Sequence, residues 1–119
     1  MSKSARLHAE QRGRRGETLA AWYLRLTGWR ILARRQKIGV GEVDLIARRG
    51  RTVVFVEVKW RASAEALDLA VDARRLARVA RAAQALAPKF ARDGDVQRID
   101  VLLLAPGRWP RHMRNVWQP

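Results

Sequence analysis

The sequence has no cysteine, which removes disulfide scaffolds, thiolate zinc sites, iron–sulfur clusters and thiol nucleophiles. Its only histidines, His8 and His112, lie near the termini. A histidine-rich metal centre is therefore not expected, and both are read as surface residues. No apolar run approaches the roughly 20 residues that a membrane-spanning helix requires. The first residues, MSKSARLHAEQRGRRGE, are basic but lack the apolar segment of a secretory signal, so a cytoplasmic protein is the expectation. Acidic residues are scarce, 11 against 25 Lys+Arg, giving a formal net charge of +14 on 119 residues. Internal repeats, low-complexity linkers and signs of a second domain are also lacking.

What is present fits one globular domain, with 48% hydrophobic and 30% charged residues. The positive excess attracts polyanions without distinguishing DNA from RNA, ribosome or acidic lipid. Arginine accounts for 21 of the 25 cations, and its planar fork suits phosphate, although the accompanying 19 alanines are equally consistent with codon bias.

Residues 1–12 read as a basic flexible arm and 13–119 as the domain. Leu19, Tyr23 and Leu26, flanked by Ala20 and Leu24, recur at helical spacing from Glu17 to Thr27, and Gly28 closes the helix. Trp29–Arg35 alternates as a strand. Two β-rich runs follow, Gly41–Arg48 and Arg51–Lys59, with Gly50 suited to a type II′ hairpin turn. The second run is apolar on both faces, as in a covered central strand. The stretch Trp60–Leu67 reads as a loop. Asp72 is a suitable cap for a long helix with Leu76, Val79, Ala80, Ala83 and Leu86 or Ala87 inward, ended or kinked by Pro88. Val96–Leu104 is a last strand, and the tail beyond Ala105 has no legible structure. Trp22, Tyr23 and Trp29 are assigned to the core. The order predicts an α/β domain with a mixed four-stranded sheet between helices.

A two-residue turn pairs Arg49 with Thr52, Asp44 with Glu57 and Glu42 with Lys59. Strand alternation then puts Asp44, Glu57 and Lys59 on one face, with the two carboxylates opposed at a Cβ separation of about 4.5–5.5 Å. Carboxylates that close repel unless a cation lies between them. Mg²⁺ takes such oxygen ligands together with water and phosphate, and Lys59 beside it suits water positioning or phosphate stabilisation. The alternative is a plain Glu42–Lys59 ion pair with Asp44 in solvent.

The segment GEVDLIARRGRTVVFVEVKWR, with GETLAAWYL before it and Ile99-Asp100-Val101 after it, resembles the signature of the YraN family, bacterial proteins of the PD-(D/E)xK superfamily related to Holliday-junction resolvases. The resemblance implies a restriction-endonuclease-like fold and Mg²⁺- or Mn²⁺-dependent phosphodiester hydrolysis in DNA, with branched DNA as one substrate class. It assigns Asp44, Glu57 and the Val58 carbonyl to the metal, Lys59 to the nucleophile and Glu17 to the water network. Glu42 belongs to the motif. Val43 replaces the proline of the superfamily name, as is usual in this family. Trp60-Arg61 stands where the family has Thr-Arg, and Ala73-Arg74-Arg75 where it has Pro-Arg-Lys. Arg75 keeps the charge but has no amine that readily deprotonates.

Arg74, Arg78 and Arg81 form one basic helix face and, with Arg61 and Arg75, are the expected nucleic-acid contacts, a solvated face being the alternative. Arg48, Arg49 and Arg51 at the hairpin tip read the same way, and Trp60 suits either packing or stacking on a base. Resolvase-like relatives act as dimers, so a homodimer is part of the expectation. Two other function classes fit the same sequence: a non-catalytic nucleic-acid-binding protein with a nuclease-like fold, and an interaction module docking on an acidic protein or ribosome.

Overall fold

The computed structural model describes residues 16–61 and 73–117. The basic arm, His8, most of the expected loop after Trp60 and the Asp72 cap lie outside them. No described helix is long and apolar enough to cross a membrane.

Helix α1 (16–26) ends where Gly28 takes φ = 94°, a value a side chain would resist. The Trp29 N–H donates to the Leu24 carbonyl at 2.9 Å and the Gly28 N–H to that of Arg25 at 3.1 Å. These are the two bonds of a Schellman cap, and they turn the chain directly into a strand. The face that α1 buries differs from the one expected. Ala20, Ala21 and Leu24 are inward, whereas Leu19, Trp22 and Leu26 are 51%, 58% and 77% exposed. Small alanines let the helix lie close on the sheet, which rotates the larger apolar residues outward. Trp22 therefore leaves the core, Tyr23 is half-buried, and only Trp29 is interior as expected.

Five strands follow: β1 (Arg30–Ile38), β2 (Gly41–Arg49), β3 (Thr52–Trp60), β4 (Val96–Leu104) and β5 (Arg111–Met113). They lie in the order β1-β2-β3-β4-β5. All neighbours are antiparallel except β3 and β4, which helix α2 (Ala73–Phe90) connects in parallel. The sheet is mixed and flanked by helices, as predicted, but has five strands rather than four. The unread tail supplies β5, too short to show a period.

The hairpin turn carries φ = 60° at Gly50, and Arg49 pairs with Thr52 in the expected register. On one side of β3, Val54 and Val56 pack with the α1 residues; on the other, Val53 and Phe55 pack against Leu76, Val79, Ala82, Ala83 and Leu86 of α2. Burying each large apolar side chain contributes about 1.5–3 kcal/mol, so the doubly covered β3 anchors both layers. On α2, Ala82 is inward, while Ala80 and Ala87 are half-buried. Pro88 sits in the last turn, and the helix ends at Phe90.

Pairing of β2 with β3 runs from Arg49↔Thr52 to Leu45↔Val56 and stops. β3 continues against β4 to Trp60↔Leu104, and β2 continues against β1 to Gly41↔Ile38. The two strands thus part at one end of the sheet. Gly41 holds the parted end of β2 under α2: a Cβ there would lie 2.4 Å from the Arg78 carbonyl oxygen. Gly41→Ala is expected to destabilise the protein by roughly 1–3 kcal/mol, the usual cost of overpacking. Gly39→Ala, whose Cβ would meet nothing within 4 Å, should leave the thermal melt unchanged.

Candidate functional site

The parted strands hold the residues singled out by the sequence. Asp44, on β2, is buried although charged, and its Oδ2 accepts the Val58 N–H at 2.8 Å. Val58 lies past the last β2–β3 pair, so a side-chain oxygen takes the place of a ladder carbonyl. Burial pushes the Asp44 carboxyl up to about 7; the negative charges of Glu57, Glu17 and Glu42 push the same way, against the Val58 hydrogen bond.

Glu57 is 1% exposed on β3. Its Oε1 lies 2.5 Å from Arg75 Nε of α2 and 3.6 Å from Lys59 Nζ, yet neither contact has hydrogen-bond alignment, leaving this buried oxygen without a hydrogen-bond partner. Lys59 is itself buried, and desolvation together with the Arg75 charge lowers its pKa, with Glu57 opposing. The expected alternative, a Glu42–Lys59 pair, does not form: Glu42 meets Lys37 at 3.8 Å instead.

Glu17, in the first described turn of α1, pairs with Arg35 of β1. Arg35 lies between the pairs Arg34↔Leu45 and Gln36↔Val43, opposite Asp44, and has φ = 50°. A left-handed arginine within a strand is a costly conformation of the kind that clusters at functional sites. Nothing in the sequence marks it.

Beside the carboxylates, a cleft of about 470 Å³ is lined by Glu42, Glu57, Arg74, Arg75, Arg78 and Val79. The expected basic face of α2 is thereby divided. Arg74, Arg75 and Arg78 reach this cleft, while Arg81 lines a separate groove beside Phe55 and Ile99. Arg61 is tied at the end of β3, its N–H donating to the Leu104 carbonyl at 2.8 Å. At the hairpin tip Arg48 is held by Asp95 at 2.6 Å, and Arg49 lies 4.5 Å from the Trp29 ring centroid. Among the described residues, no group of three or more Asp, Glu or His side chains forms a metal-holding cluster.

His112 corrects the expectation of a surface residue. Its side chain is 7% exposed and its Nε2 lies 2.7 Å from Oδ2 of the fully buried Asp100. Arg98 and the Asn115 N–H, both at 2.9 Å, complete the cage. Burial pushes Asp100 upward, but the bonds from His112, Arg98 and Asn115 outweigh it and hold the carboxyl below its ordinary value. This cage pins the tail and β5 to β4. An acid within the apolar VQRIDVLLL hints at a buried partner, but its distance along the chain from His112 conceals which one.

The model of Uncharacterised protein family UPF0102 matches residues 16–104. The chain belongs to this family. UPF0102 proteins of Sphingopyxis alaskensis and Erythrobacter litoralis are 65% identical over 114 residues and 58% identical over 111. The alignments cover 96% of this chain and 98% of the first relative, and 93% and 96% for the second. The fold is similar to that of Hjc, a Holliday junction resolvase of Archaeoglobus fulgidus, with a TM-score of 0.60 at 23% identity over 84% of this chain and 73% of the resolvase. At that identity the likeness concerns the fold.

In this UPF0102 protein the burial of Asp44 has a measurable consequence. A carboxyl whose folded-state pKa is about 7 against an ordinary 3.8 binds more protons folded than unfolded between those values, so its contribution to stability falls as pH rises from about 4 to about 7. Asp44→Asn retains an oxygen for the Val58 N–H and removes the titration. In EDTA, the melting temperature of the parent relative to Asp44→Asn should fall across that window. A constant difference between the two would mean that Asp44 is not held in the way described.

Proposed function

We propose that this UPF0102 protein is a metal-dependent nuclease of the YraN kind, hydrolysing phosphodiester bonds in DNA. The observation that carries the reading is the pair of buried carboxylates at the strand fork: Asp44 is pushed up to about 7 and Glu57 Oε1 lacks a hydrogen-bond partner. A protein does not ordinarily bury such a pair without a cation to compensate it.

The donor set fits a hard divalent ion, Mg²⁺ or Mn²⁺, which takes one or two carboxylates and completes its shell with water and phosphate oxygens. Asp44 and Glu57 would hold it, with the Val58 carbonyl as a further ligand; the absence of a third clustered acid does not conflict with this requirement. Such an ion neutralises charge on the phosphate and lowers the pKa of bound water. The protein's own residues do the rest. Lys59, destabilised in its charged form by burial and Arg75, is suited to orient the attacking water or to donate a proton to a phosphate oxygen. Glu17, fixed by Arg35, lies within the field felt by Asp44 and orders water on that side. Arg74, Arg75 and Arg78 present cations along the cleft to the DNA backbone, and Arg75 exchanges Glu57 for phosphate as the strand enters.

The same Arg75 contact favours a second reading, a nucleic-acid-binding protein without hydrolysis, because a guanidinium already compensates Glu57. Thermal melts with Mg²⁺ separate the two. The nuclease reading expects Mg²⁺ to raise the melting temperature of the parent and not that of Asp44→Asn. It also expects cleavage, on a panel of branched, linear and single-stranded DNA, to fall at least about a hundredfold in Asp44→Asn while binding holds or strengthens. Unchanged cleavage in that variant would overturn it.

Binding has its own signature. Affinity for DNA should fall linearly with salt on logarithmic axes, and Arg78→Ala should lower the slope by about one. An unaltered slope would show that Arg78 contacts no phosphate.

A further inference from the structure

At the end of the sheet where β3 finishes, the β4–β5 connection presents an aromatic residue to solvent. Ala105, Pro106, Gly107 and Arg108 form a turn closed by the Arg108 N–H to the Ala105 carbonyl at 3.3 Å, with φ = 69° at Gly107. Proline at the second position and a positive-φ glycine at the third fit a type II turn, a stiff arrangement. Trp109 follows and is 83% exposed, the most exposed large apolar side chain among the described residues. Pro110 restricts it from the other side. The loop therefore fixes an indole in water, forgoing the burial that would stabilise it.

Its position suggests a purpose. Lys59 pairs with Leu103, and Leu103 with Arg111 on the far side, so one row crosses the sheet from the carboxylate fork to the start of β5. Two strand spacings amount to about 10 Å. Trp109 precedes Arg111 by two residues. Trp60, 38% exposed and paired with Leu104, is a second aromatic at the same end, and Arg61 and Arg108 flank the two. Exposed indoles between arginines, on a chain of net charge +14, match one ligand chemistry: a polyanion whose bases offer free faces. Duplex bases are already stacked on their neighbours and offer none.

We infer that the Pro106–Pro110 loop, through Trp109, is a stacking platform for unpaired bases, so that the DNA acted on has a single-stranded segment next to the bond held at the fork. This rests on the nuclease reading for the identity of that bond, but the platform itself is tested by binding alone. Trp109→Ala touches neither the core nor the carboxylates. Affinities are measured in EDTA for three labelled probes: a single strand, a duplex with splayed single-stranded arms, and a blunt duplex.

The parent should bind the single strand and the splayed duplex about tenfold more tightly than the blunt duplex. Trp109→Ala should lose about that factor on the first two probes and nothing on the third, with Trp109→Phe restoring most of it. Equal losses on all three probes, no loss on any, or a parent without preference would overturn the platform. The two readings fail separately. A Trp109-dependent preference in a protein that cleaves nothing with Mg²⁺ supports the platform and removes the hydrolase. Mg²⁺-dependent cleavage with affinities indifferent to Trp109→Ala supports the hydrolase and removes the platform.

Discussion

The site depends on a backbone event: β2 and β3 stop pairing at Leu45↔Val56, and the Val58 N–H passes to the Asp44 carboxylate. An unpaired N–H in the sheet interior would cost about as much as a lost hydrogen bond, so the acid is a structural requirement of the fork before it is anything else. The same bond places a carboxylate between the separating strands, beside Glu57. Gly41, which admits the α2 backbone to the parted end of β2, brings the helical arginines over the opening.

Around that point the protein places charges of opposite sign in different solvent environments. Nearly all its positive charge is at the surface, whereas Asp44, Glu57 and Asp100 are buried acids. Asp100 is fully caged by donors and held below its ordinary range, as expected of a structural carboxylate. Asp44 has one backbone donor and several acidic neighbours, and is pushed the other way. Two buried aspartates with opposite shifts divide the molecule into a part that is electrostatically satisfied and a part that is not. A divalent cation and a phosphate backbone supply what the second part lacks.

The satisfied part also shapes the surface. By fastening His112 and Asn115 to β4, the Asp100 cage adds β5 to the sheet and fixes the return of the chain after Trp109. A flexible tail would not hold an indole in one place, whereas a turn with proline on either side, docked on an edge strand, holds it at little further entropic cost.

Much of this was determined by the sequence alone, because it depends on neighbours along the chain. The Gly28 cap, the Gly50 turn, the hairpin register and the bounds of β4 follow from φ preferences and a two-residue period. The pairing of Asp44 with Glu57 follows from the turn between them. Other features depended on groups meeting across the fold, and tertiary structure decided them. Leu19, Trp22 and Leu26 face water because the two alanines of α1 pack closer to the sheet, a choice that helical period cannot rank. Arg35 adopts a left-handed conformation, Arg75 reaches Glu57, and His112 reaches Asp100, each through contacts with residues distant in sequence. The termination of the β2–β3 ladder at Leu45↔Val56 belongs with these: alternation continues smoothly through Asp44 and Glu57, and only the pull of β1 on one strand and β4 on the other separates them.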